Sequence, residues 1–151
     1  MSAGRYKDGV FKAYDIRGIY PEEIDERFAF DFGRAFTSYL RCSEVVIGRD
    51  NRLSGEDLSR ALAEGITASG ADVVNCGLCS TDTLYFAAAD AGYKGGIMVT
   101  ASHNPPEYNG FKLVREKAVP IGGESGLTEI KTIMQGSELP VPSVRGEVVT
   151  K

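Results

Sequence analysis

The residues of this 151-residue chain best suited to chemistry converge on one stretch. An apolar run, Gly96-Ile97-Met98-Val99, leads through Thr100-Ala101 to Ser102 and then to His103, the single histidine. Pro105 and Pro106 stiffen the exit, and Asn109-Gly110 reads as a tight turn that returns the chain along Phe111-Lys112-Leu113-Val114. Lys112 then sits on a strand beside the one that delivers Ser102. A serine next to a histidine suggests acyl transfer, but neighbours in extended chain point to opposite sides, so the imidazole is not aimed at the hydroxyl. No Gly-x-Ser-x-Gly elbow surrounds Ser102 either. Two readings stay open for Ser102: a hydroxyl that bonds its own turn, or a reactive group presented at a strand end.

Two other clusters carry weaker signals. Cys76-Gly77-Leu78-Cys79 is a C-x-x-C between a strand and a helix, the arrangement of a thiol redox site and equally of small-residue packing in a βα turn. A zinc site would have to recruit Cys42 and His103, which stand at no motif spacing. Gly122-Gly123-Glu124-Ser125-Gly126 could cradle an anion at a helix start, but it lacks a P-loop lysine and Glu124 repels negative charge.

The elements that must position these groups follow from hydrophobic spacing. Residues 11–16 read as a short strand ending at Arg17-Gly18, and Pro21-Glu22-Glu23 opens a helix with acids in its first turn. Ile24, Phe28, Phe32, Ala35, Phe36 and Tyr39 give that helix a wide apolar face. Residues 45–48 form a buried strand ending in Arg49-Asp50. Ser54 and Asp57 look like a capping pair for the next helix, stopped by Gly70. Residues 71–75 are a strand, Ser80 or Thr81 caps a helix ending at Gly92, and Leu127, Ile130, Ile133 and Met134 mark a last helix ending at Gly136. Helices alternating with short apolar strands predict an α/β fold, a three-layer α/β/α sandwich with a mixed, mostly parallel sheet. The two strands around residues 101–110 are joined too closely for a crossover and are expected to be antiparallel. In such sheets ligands gather beyond the carboxyl ends of the strands, which places Ser102, Arg17 and Arg49-Asp50 on one rim.

Totals bound the rest. A net charge of -4 and a pI near 5.1 provide no general basic field, so neither nucleic acid nor an anionic membrane is an expected partner, and any anion site is local. The first ten residues lack an apolar signal core, no window is long enough to span a membrane, and three cysteines are an odd count, all of which point to the cytoplasm. Residues 1–136 read as one domain, and residues 137–151, with Pro140, Pro142 and Gly146, read as the start of a linker.

Three stretches together resemble a known family. Thr100-Ala101-Ser102-His103-Asn104-Pro105 with Tyr108-Asn109-Gly110-Phe111-Lys112 resembles the phosphoserine loop of the α-D-phosphohexomutases. Ala13-Tyr14-Asp15-Ile16-Arg17-Gly18 resembles the opening motif of the phosphomannomutase/phosphoglucomutase branch, and residues 48–54 (Gly-Arg-Asp-Asn-Arg-Leu-Ser) match a further block in order. Phosphoglucosamine mutases share a similar serine loop but open with Gly-Ile-Arg-Gly, which favours the mannose/glucose branch over that alternative.

The resemblance implies the first of four domains of an isomerase that interconverts hexose 1-phosphates and 6-phosphates through a bisphosphate. It implies Ser102 as the phosphoryl carrier, His103 flanking it, Arg17 and Lys112 contacting phosphate or assisting proton movement, and Tyr14 lining the same cleft. It implies Mg²⁺ held partly through the Ser102 phosphate and mainly through a second-domain Asp-Gly-Asp-x-Asp loop that does not occur here. Partners would be mannose or glucose phosphates and the remaining domains of the polypeptide, and this domain alone is expected to be inactive. A non-catalytic phosphosugar- or nucleotide-binding module is the alternative.

Overall fold

The structure, a computed structural model, describes residues 6–136 and 144–150. Its sheet has seven strands: β1 (Ile16–Ile19), β2 (Glu44–Arg49), β3 (Asp72–Leu78), β4 (Gly95–Val99), β5 (Tyr108–Arg115), β6 (Val119–Pro120) and β7 (Val148–Thr150). Four helices accompany them: α1 (Glu26–Leu40), α2 (Gly55–Ala68), α3 (Thr81–Asp90) and α4 (Leu127–Gln135). The order across the sheet is β1-β5-β4-β2-β3-β7, with β6 paired to β5. β4, β2, β3 and β7 run parallel, and β5 lies antiparallel to β4, β1 and β6. The expected mixed, mostly parallel sheet is therefore present, with β5 the reversed strand.

Strand alternation sorts the side chains into two layers of unequal size. Val45, Ile47, Val73, Ile97, Val99, Phe111 and Leu113 face the large core made with α1, α2 and α4. Val46, Val74, Met98 and Val114 face a small cluster closed by Leu84 and Ala88 of α3. Phe28 and Phe32 of α1 stack on Phe111, with ring centroids 6.3 and 4.9 Å away. Alternation along β5 puts Lys112 on the α3 side with Val114.

Several element boundaries differ from expectation, each for a local reason. α1 begins at Glu26, not Pro21: the Glu23 carboxylate accepts from the Ile19 amide, which holds residues 20–23 in a turn, and extended Asp25 caps the helix by accepting from the Phe28 amide. Ser54 precedes α2 but makes no cap; its hydroxyl instead accepts from Asn109 Nδ2 at 2.8 Å. Ser80 does cap α3, through the Thr83 amide. Phe11 makes only an isolated bridge with Ile16, where β1 begins. Asn109-Gly110 is no turn. It lies inside β5, where a Cβ on Gly110 would stand 1.9 Å from the Ile16 carbonyl oxygen, so this glycine serves close strand approach. The reversal is made earlier, by turns closed by Asn104 N–H to Ala101 O and Tyr108 N–H to Pro105 O.

Of the tail read as a linker, residues 137–143 and 151, with Pro140 and Pro142, lie outside the described residues. Its described part holds β7 against β3, and the Gly146 amide donates to the Thr67 carbonyl.

α1 and α2 cross at backbone contact. A Cβ on Gly65 would stand 2.1 Å from the Phe30 carbonyl oxygen, and one on Gly33 2.6 Å from that of Leu62. Gly65→Ala is expected to destabilise the chain by about 2–4 kcal/mol in urea unfolding, because backbone cannot yield as a side chain does. Gly9→Ala, with nothing within 4 Å of the new methyl, is expected to leave the midpoint unchanged.

Candidate functional site

Ser102 stands just past the carboxyl end of β4 with φ 56°, a left-handed conformation that costs a non-glycine residue about 1–2 kcal/mol. Its surroundings enforce that geometry. The Asp50 carboxylate, beyond the end of β2, accepts from Thr100 Oγ1 at 2.6 Å, and Thr100 Oγ1 in turn accepts from the Ser102 amide at 3.0 Å. Arg52 closes the loop from outside. Its Nη2 donates to the carbonyls of Ser102 and Asn104 at 3.0 and 2.8 Å, and its Nη1 to those of Pro105 and Tyr108 at 2.7 and 3.0 Å. Nε of Arg52 pairs with Asp50 at 3.4 Å, which joins the two restraints. Inside the loop, buried Asn109 binds Ser54 Oγ and accepts from the Gly110 amide. The Ser102 side chain itself is half-buried and has no hydrogen-bond partner among the described residues. That favours a presented group over a turn hydroxyl.

Beside the loop lies a charge cluster built on Asp15, which is 2% exposed. Arg17 donates to its carboxylate through Nε and Nη2, at 3.1 and 2.8 Å from Oδ2, and Lys112 Nζ reaches the same oxygen at 3.0 Å. Two cations on one carboxylate leave a surplus positive charge. Arg17 Nη1 donates to Asn104 Oδ1 at 2.8 Å, so the cluster is tied directly to the serine loop. Register explains how Arg17 gets there. It is the second residue of β1 rather than the last, as the rim argument assumed, but Ile16 is level with Phe111, which also pairs with Val99 at the end of β4. β1 therefore begins where β4 stops. Tyr85 of α3 faces the same cluster: burial, and then the charges of Asp15 and Asp82, push its phenol above the usual range.

Other site candidates from sequence lie at varying distance from this centre. His103 is exposed and makes no hydrogen bond to the Ser102 hydroxyl, so no serine–histidine dyad exists here. Tyr14 is 83% exposed, and its backbone lies against Gly122. Gly122 and Gly123 are engaged internally, with the Gly123 amide on the Ala13 carbonyl and the Gly122 amide on Ser125 Oγ. Arg49 turns to Glu56 at 3.8 Å. A surface pocket of about 320 Å³ opens beside Ser102, lined by Asp50, Arg52, Leu53, Asn104 and Pro106 among others. Asp15, Arg52 and Tyr85 are the contributors that sequence reasoning did not single out. Asp15 and Arg52 both stand inside stretches quoted for the resemblance, Ala13–Gly18 and residues 48–54, whereas nothing in the sequence marked Tyr85. Among the described residues no group of three or more His, Cys, Asp or Glu could hold a metal ion, and no helix is long and apolar enough to cross a membrane.

The clamp makes a specific expectation. Arg52→Ala should raise hydrogen exchange at the Asn104 and Tyr108 amides at least about tenfold, equivalent to ~1.4 kcal/mol of local opening, while the β2 and β4 amides change little. Arg52→Lys should not restore protection, because an ammonium cannot span four carbonyls held in a fork.

Residues 8–140 match the family described as phosphoglucomutase/phosphomannomutase, alpha/beta/alpha domain I. A phosphomannomutase of Klebsiella pneumoniae is 48% identical over 138 residues, covering 90% of this chain and 88% of that protein. A phosphomannomutase of Escherichia coli strain K12 is 47% identical over 130 residues, 86% of this chain but 28% of that protein, so the chain spans under a third of such longer relatives. The crystal structure of a phosphoglucomutase/phosphomannomutase family protein from Burkholderia thailandensis superposes with a TM-score of 0.83 at 38% identity, covering 96% of this chain and 33% of that one. The family match over residues 8–140 and the 48% identity over 138 residues show that the chain belongs to the phosphoglucomutase/phosphomannomutase family as an α/β/α domain I.

Proposed function

We propose that this chain is the phosphoserine-bearing domain of a phosphomannomutase/phosphoglucomutase, with Ser102 as the phosphoryl carrier. The observation that carries the reading is the unpartnered Ser102 hydroxyl, held in a strained backbone conformation next to a cationic cluster that is bonded to its own loop. A phosphoryl group on Oγ would carry nearly two negative charges, which the surplus cation on Asp15 is placed to offset. In the forward step the Oγ–P bond breaks, a new P–O bond forms to a hexose-phosphate hydroxyl, and the proton that hydroxyl loses is matched by one gained at the departing Ser102 Oγ. The bisphosphate reorients and returns its other phosphoryl group to Oγ.

Phosphoryl transfer has a loose transition state, so positioning and charge neutralisation do most of the work. In this reading Arg17 and Lys112 contact phosphate or assist proton movement, His103 flanks Ser102, and Tyr14 and Tyr85 border the cleft. Mg²⁺ would supply further charge neutralisation in the whole protein. The described residues do not form its site alone, and they offer it at most the phosphate of Ser102. The substrates are mannose or glucose phosphates, the compartment is the cytoplasm, and the remaining ligands and sugar contacts come from further domains.

Peptide mass mapping of the protein isolated from its own cells is expected to find one phosphoryl group on the peptide carrying Ser102, and none in Ser102→Ala. Its absence from every preparation would end the proposal. In the complete enzyme, Lys112→Met should lower kcat by roughly 10²–10³-fold, about 2.7–4 kcal/mol, as for loss of a preorganised donor at a charged transition state. These 151 residues alone should not turn over mannose 1-phosphate. Robust turnover would contradict the domain reading.

A further inference from the structure

The C-x-x-C segment is not used by the serine site, and its geometry is unusual. In a regular strand, residues three apart point to opposite faces, so Cys76 and Cys79 should be separated by the sheet. The β2–β3 ladder breaks that rule. Ile47 pairs with Asn75 and Arg49 with Leu78, so two steps along β2 oppose three along β3. The extra residue is a bulge at Gly77, whose φ is +68° and whose amide is taken by Asn75 Oδ1 at 2.8 Å. Cys76 lies two residues after Val74 and shares its face. The bulge swings Cys79 onto that same face, where it packs against Gly48. A Cβ there would stand 2.5 Å from the Cys79 sulfur, so the glycine makes the room. Both cysteines are half-buried against the same small apolar cluster under α3.

We infer that Cys76 and Cys79 form a reversible redox site, closing to an intramolecular disulfide when the protein meets a hydroperoxide. One thiolate attacks the peroxide oxygen, the O–O bond breaks, and a sulfenic acid and hydroxide result. The second thiol displaces the sulfenic oxygen as water and forms the S–S bond. Overall two thiols lose two electrons and two protons, and hydrogen peroxide becomes two waters. Burial, and then the neighbouring Cys76, raise the Cys79 thiol, which disfavours Cys79 as the attacking thiolate and leaves it the part of the thiol that closes the bond onto Cys76. Cys42 is the internal contrast, buried apart from them and pushed up to about 11 by desolvation. No third metal-binding side chain joins the pair among the described residues, which distinguishes this site from a zinc knuckle. The pair also adjoins functional structure. The Cys79 amide donates to the Arg49 carbonyl at 3.0 Å, one residue before Asp50, and Ser80 caps α3 immediately after. The inference stands independently of phosphoryl transfer at Ser102.

The folded 151-residue chain treated with hydrogen peroxide and then alkylated tests it directly. Cys76 and Cys79 both lie between Arg60 and Lys94 with no trypsin site between them, whereas Cys42 falls in another peptide. The expected result is loss of two of the three thiols, with a peptide about 2 Da lighter that a dithiol restores, at least about tenfold faster than any change at Cys42. Cys79→Ser should instead trap Cys76 as a sulfenic acid captured by dimedone. Retention of all three alkylatable thiols under conditions that consume a free small-molecule thiol would overturn the inference, as would disulfides to Cys42 or between chains. The wild-type measurement decides the matter even if a cysteine variant fails to fold.

Discussion

A buried carboxylate holds the functional end of this domain together. Asp15 is almost inaccessible, and an isolated charge in that position would be costly. Arg17 and Lys112 satisfy it from two strands, and each is in turn oriented by it. Taking away one partner of such a pair typically costs about 3–5 kcal/mol, because the remaining charge stays buried. Here the arrangement also fixes chemistry. Without Asp15 the two cations would repel each other and drift toward water, and the positive patch next to Ser102 would lose its shape.

The serine loop depends on a second restraint of a different kind. A left-handed Ser102 persists only if its surroundings over-determine it. Four carbonyls on one guanidinium, and a relay from Asp50 through Thr100 to the Ser102 amide, provide that over-determination. The loop's polar backbone is consumed in holding itself, and the serine side chain is left out of the network. Such division suits a group that must change its chemical state without disturbing its support.

The unequal layers explain where this machinery can sit. Three helices cover one face of the sheet and build the large core, whereas α3 packs over β2, β4 and the turn at residues 116–118 on the other. Arg17 on β1 and Lys112 in the middle of β5 occupy that second face, where a charged cluster can meet solvent and ligand without crossing the core. The small cluster beneath α3 tolerates a bulge and two thiols for the same reason: few large side chains compete for the space.

Helical and strand periodicity, applied to residues in sequence order, is enough for the α/β/α class and the delivery of Ser102 at a strand end, because those features follow from local apolar spacing, and the short connection after Ser102 makes β4 and β5 antiparallel. The serine loop, Arg17 and Lys112 were legible as residue types in a recognisable order. Tertiary structure alone decided that Asn109-Gly110 belongs inside β5, that β1 starts where β4 ends, and that Arg52 rather than a nearer residue clamps the loop. It also decided that Ser54 serves Asn109 instead of its own helix, and that a bulge places Cys76 and Cys79 on one face. The physical reason is separation along the chain: Lys112 meets Asp15 across 97 residues and Arg52 meets Ser102 across 50. Hydrogen bonds of that span leave no period in the sequence, because their geometry exists only once the sheet has set its register.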